Sequence, residues 1–96
     1  MPSLVVGVLQ VELIVHDAMT LKDKRRVVKS IKDRIAHDFN VSIAEIDALD
    51  RHRKAVLGVS LVGNDGEFVR SSLDRVVERL RGFRGASLVD YQIDLI

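Results

Sequence analysis

The chain has 96 residues, 47% of them hydrophobic and 30% charged, with 15 Lys or Arg against 14 Asp or Glu. That supplies apolar side chains for one packed core and is too much for a disordered chain, and the near-neutral balance argues against a uniformly basic coat for nucleic acid. The absence of cysteine excludes disulfides, thiolate metal sites and cysteine nucleophiles.

Residues 4–15 alternate, with Val5, Gly7, Leu9, Val11, Leu13 and Val15 on one face and Val6, Val8, Gln10 and Glu12 on the other. A period of two predicts a strand whose odd face meets the core. This N-terminus carries no basic segment ahead of its apolar run, and Gln10 and Glu12 interrupt it. Neither a signal peptide nor a membrane span of about 20 apolar residues is expected, so a soluble cytoplasmic protein with no membrane partner is.

After a connection at 16–20 the period changes. Thr20 reads as a helix N-cap with Asp23 at the reciprocal capping position, and Asn40 as the C-cap. Between them Leu21, Val28, Ile31, Ile35 and Phe39 form one apolar stripe. Residues 41–49 (VSIAEIDAL) read as a strand with imperfect alternation, bulged or at an edge. DRHRK (50–54) is a polar turn, and AVLGVSLV (55–62) a strand with Ala55, Leu57, Val59 and Leu61 inward. GNDG (63–66) is a turn, with Asn64 and Glu67 as the cap signature of a second helix. Val69, Leu73, Val76 and Leu80 form its core stripe and Gly82 ends it. In ASLVDYQIDLI (86–96), Val89, Tyr91, Ile93 and Leu95 are expected inward, with Asp90, Gln92 and Asp94 outward. The order βαββαβ with right-handed crossovers predicts a ferredoxin-like α+β fold: one domain over 1–96, a four-stranded antiparallel sheet with two helices on one face.

Charge is unevenly spread. Residues 21–39 hold seven Lys or Arg and three Asp, a balance of +4, so the rest of the chain sums to −3. On the helical wheel Lys22, Arg26 and Lys29 point away from the stripe with Asp33 beside them. Arg25 and Lys32 flank it, and Lys24 projects near its buried side, expected to escape past the end of the sheet. A solvated surface explains such a face, but few acids sit at i,i+4. Several cations also crowd the helix N-terminus, where the macrodipole disfavours each by about 0.3–1 kcal/mol. An anionic partner is therefore expected, structured RNA or an acidic protein surface. Lys22, Lys24, Arg25, Arg26, Lys29 and Lys32 would supply the contacts, with Arg51 and Arg53 from the polar turn.

The open sheet face has no aromatics to stack bases and carries three acids, so RNA is not expected there. Its apolar part around Val6, Val8 and Val56 could instead meet a second copy of the chain. Gly82-Phe83-Arg84-Gly85 matches a nucleotide-clamping pattern but follows a helix instead of joining two, and reads as a helix stop plus a turn. His16, His37 and His52 have no partners at metal-ligand spacing, and no metal or cofactor is expected. His16, in the loop after the first strand, remains the candidate for a small-ligand or enzyme site.

LKDKR (21–25), FNVSIAE (39–45) and LVGND (61–65) give the chain a resemblance, over essentially its whole length, to the YlxP-like family, also called domain-of-unknown-function family 503. The resemblance implies a ferredoxin-like bacterial cytosolic protein. Family genes often lie near translation and ribosome-maturation factors, which implies a ribosome-associated role. It assigns no catalytic residues. Lys22, Lys24 and Arg25 match the family's basic motif. Near His52, where relatives often carry Trp, this chain carries none. Together these features suggest a non-enzymatic accessory protein that binds structured RNA or a ribosomal subunit.

Overall fold

The computed structural model describes residues 3–96. The elements follow in the expected order: β1 Val5–Val15, α1 Leu21–Asp38, β2 Ser42–Asp47, β3 Lys54–Gly63, α2 Gly66–Arg81 and β4 Ala86–Leu95. They form a four-stranded sheet in the order β2-β3-β1-β4, with antiparallel neighbours throughout. Both helices cover one face. The alternation of β1 decides which: Leu9, Val11, Leu13 and Val15 are buried beneath the helices with Ala55, Leu57, Val59 and Leu61 of β3. Val28, Ile31 and Ile35 of α1 and Val69, Leu73, Val76, Val77 and Leu80 of α2 complete the core, while Leu21 and Phe39 lie half-buried at the ends of the α1 stripe. Gly7 lets α2 approach β1 closely, since a Cβ there would lie 2.4 Å from Val69 Cγ1.

The Thr20 hydroxyl accepts from Asp23 N–H at 3.1 Å, satisfying one orphan donor of the first turn. The Asp23 carboxylate reaches back one residue further than a capping box does and accepts from Met19 N–H at 3.0 Å. Two cap assignments move by one residue. Phe39, with its N–H on Ile35 O, caps α1 in place of Asn40, and Asp65 caps α2 in place of Asn64, accepting from Glu67 N–H. In each case a neighbouring residue already has the extended backbone that a cap requires.

The imperfect alternation of β2 has its cause at the sheet edge, where the register with β3 shifts between Glu45 and Asp47. A second shift, between Glu12 and Leu13 of β1, corrects the reading of β4. Glu12 pairs with Asp90 but Leu13 pairs with Leu88, leaving Val89 as the extra residue. Leu88 and Ile93 therefore pack on the core while Val89 is exposed. Tyr91 shares a register position with Val11, yet it is largely exposed, with the Arg81 guanidinium 5.8 Å above its ring.

Candidate nucleic-acid interface

The first helix separates its charges by depth. Lys22, Arg25, Arg26 and Lys29 are exposed and Lys32 is half-buried, because each lies off the stripe that Val28, Ile31 and Ile35 press onto the sheet. Lys29 pairs with Asp33 one turn on, at 2.6 Å. Among the described residues, Lys22, Arg25, Arg26, Lys32 and Arg34 make no ion pair, nor do Arg51 and Arg53 in the β2–β3 loop. Cations held near a helix N-terminus without acidic partners raise the local potential.

Lys24 does not belong with them. The expectation that it escapes past the sheet is corrected, because the β2–β3 loop folds back over its side chain. Lys24 is 0% exposed, and its ammonium lies 2.7 Å from Glu45 Oε2, whose side chain is 14% exposed. Nζ also donates to Ala48 O at 2.8 Å and Lys54 O at 3.0 Å, with Leu49 O at 3.5 Å. An ammonium has three protons, and here each has an acceptor. Glu45 Oε2 is buried and accepts no hydrogen bond, so its charge contact with the ammonium is its one compensation for burial. Ala48 holds a left-handed backbone, φ 54°, which helps turn the loop carbonyls onto Lys24.

Lys24 is therefore a positioning residue. It fastens the loop carrying Arg51 and Arg53 to the end of α1 carrying Lys22, Arg25 and Arg26. Further contacts reinforce the junction. Val15 N–H donates to Arg53 O at 2.8 Å, and Arg53 Nη2 lies 3.8 Å from Met19 Sδ. The result brings cations from two distant segments of the chain to one end of the molecule. A signal for the Lys24–Glu45 pair was present in the sequence. Glu45 shares the core-facing parity of Ile43 in β2, and Lys24 lies near the core-facing side of α1, so an acid and a base both pointed inward.

The remaining candidates have structural explanations. Gly82 caps α2, and Gly85 takes φ 82° in the turn into β4, so the glycine pair ends a helix and reverses the chain. His16 Nε2 lies 2.6 Å from Ser87 Oγ, both at the surface, but among the described residues no carboxylate hydrogen-bonds the imidazole. No group of His, Asp and Glu able to hold a metal ion occurs among the described residues, and no helix is long and apolar enough to cross a membrane.

At the far end of α1, Asp38 contacts both His37 Nδ1 and the Arg79 guanidinium, which also lies 5.6 Å over the Phe39 ring. The His37 hydrogen bond, followed by Arg79, holds the Asp38 carboxyl below the usual carboxylate range. Asp23 is lowered chiefly by the Met19 N–H.

The topology and the paired helices define a ferredoxin-like α+β domain, with several cations at one end that make no ion pair among the described residues. A de novo designed protein, Foldit4, shares the fold at TM-score 0.54 and 14% identity, over 97% of this chain and 96% of that one. Residues 6–93 match the family described as "Protein of unknown function (DUF503)". The protein described as "Uncharacterized protein YlxP" of Bacillus subtilis (strain 168) is 35% identical over 78 residues, 81% of this chain and 85% of that protein. The chain belongs to this YlxP-like DUF503 family.

Proposed function

We propose that this protein is a non-enzymatic accessory factor of the bacterial cytoplasm that docks on structured RNA, in the setting of a ribosomal subunit. Phosphate contacts would come from Lys22, Arg25, Arg26 and Lys32 of α1 with Arg51 and Arg53 of the loop fastened beside it. One observation supports the reading: these six cations reach solvent, and among the described residues none is in ion-pair contact with a carboxylate. Specificity would come from the shape of the RNA backbone, because the outward-facing sheet offers no aromatic platform.

Cosedimentation with ribosomal particles at low salt tests the reading. The Lys22→Glu plus Arg26→Glu variant is expected to lose it, and retention would overturn the assignment to α1. Lysate pull-downs at two salt concentrations should lose their partner on nuclease treatment. With Lys22→Ala plus Arg26→Ala, the slope of log affinity against log salt should fall by about 2, roughly one per phosphate contact removed.

A further inference from the structure

The open face of the sheet has a relief that its register makes explicit. Ser42 of β2, Ser60 of β3, Val8 of β1 and Asp94 of β4 lie in one row across the strands. Ala44, Gly58, Gln10 and Gln92 form the next row. In both rows the β2/β3 half carries small side chains or none, and the β1/β4 half carries larger ones. The low half is the floor of an open cavity of about 400 Å³, with Ile46 as a wall. Ile46 packs over Gly58, where an added Cβ would lie 3.1 Å from Ile46 Cγ2, so beside it the low ground is the Ser42, Ser60 and Ala44 positions. Beyond these rows the face ends in exposed apolar side chains: Leu4 is 65%, Val62 62% and Ile96 77% exposed.

We propose that this face binds a second copy of the chain, through a two-fold axis parallel to the strands and between β1 and β3. That operation lays the high β1/β4 half of each copy into the low β2/β3 half of the other. Ser60 meets the partner copy's Val8 row position, and the Ser42 hydroxyl meets the position of a carboxylate, Asp94. It also brings the apolar end of each face onto its equivalent. A two-fold perpendicular to the strands would stack high half on high half and place acid over acid. Glu12, Asp90 and Asp47 share the row at the loop end, and their mutual repulsion limits contact to the remainder of the sheet. About seven residues along each of β1, β3 and β4 and about four along β2 give a footprint of roughly 400 Å². That is below the roughly 800 Å² per partner of a standard stable interface, so the dimer is weak and reversible. Both α1 surfaces remain on the outside, and the dimer is independent of what they bind.

Sedimentation equilibrium from low to high micromolar concentration tests the proposal. The mass should rise with concentration from 10.8 kDa toward twice that value. Added salt should preserve or strengthen the association, the opposite of its effect on phosphate binding. Ser60→Glu, which fills the low half with a charge, should hold the mass at 10.8 kDa with an unchanged circular dichroism spectrum. Ser42→Cys and Asp94→Cys chains, mixed and oxidised, should cross-link to each other, and neither should do so alone. A 10.8 kDa mass at all concentrations would overturn the proposal and leave the face to another partner. So would cross-linking of Asp94→Cys with itself, which would report the other axis. Should Ser60→Glu fail to fold, the cysteine pair decides.

Discussion

The two ends of α1 use charge in opposite ways. At the C-terminal end Asp38 is met by His37 and by Arg79, which is also stacked on Phe39. There Arg79 of α2 holds helix to helix. At the N-terminal end Glu45 is paired with a lysine of the helix, and that lysine is the buried one, Lys24. Asp23 is taken up by the Met19 N–H and the Thr20 cap. Among the described residues Lys22, Arg25 and Arg26 make no ion pair, at the end of α1 to which the loop carrying Arg51 and Arg53 is fastened. A net charge of +1 is thus compatible with a cluster of cations at one end, because Asp23 and Glu45, the acids on and against that end of the helix, are engaged by a backbone donor and by a buried ammonium.

The largest expected break in this contrast is Lys24→Met. It keeps most of the apolar stem but strands the Glu45 carboxylate and the Ala48 and Lys54 carbonyls. Breaking a buried pair on one side costs about 3–5 kcal/mol, measurable by urea denaturation. Lys29→Met, one exposed partner of an i,i+4 pair, should cost about 0.5 kcal/mol or less in the same assay. Similar losses for the two lysines would contradict the depth assigned to Lys24.

Thr20→Ala comes next. It removes the acceptor for Asp23 N–H, and the expected loss is about 1 kcal/mol, with faster amide exchange confined to the first turn of α1. Arg79→Ala acts at the other end. It removes the exposed charge contact to Asp38 and the stacking on Phe39, and the expected loss of stability is smaller than that of Thr20→Ala. Faster exchange should then appear in the last turn of α1, where Asp38 would face the negative end of the helix without its guanidinium.

The smallest effects come from acid. Both carboxyls have folded-state pKa values depressed below the unfolded ones, so their stabilisation is present above the unfolded value, about 3.9, and is lost as pH falls through the folded values. Proton titrations followed by carboxyl NMR should find Asp23 and Asp38 still ionised where ordinary aspartates are half-protonated. Salt then distinguishes the ends. It should move Asp38 toward the ordinary value by screening Arg79 and His37, and move Asp23 less, because a backbone N–H is its main partner.

The alternation of β1 and the stripes of α1 and α2 were legible because burial on one face imposes a period of 2 or 3.6 on the side chains themselves. The exposed cations were legible for the same reason, as the residues left off a stripe. Val89 was misread because a bulge inverts parity without leaving a mark in composition: one extra residue between paired strands turns the expected inward position outward. The caps at Phe39 and Asp65 were missed by one residue, since side-chain type favours a cap but backbone angles select it.

By itself, then, the amino-acid order determined the succession of strands and helices, the face each presents to the core and the concentration of positive charge in one helix, because these follow from local periodicity and composition. Only the tertiary structure decided that Lys24 is inside, that the loop carrying Arg51 and Arg53 is tied to the N-terminal end of α1, and that small and large side chains divide the open sheet into two halves. Each of those depends on strand register or on a loop folding back from a distant segment. The free energies that fix them, a compensated buried charge and a cross-strand fit, exist only once the segments have met.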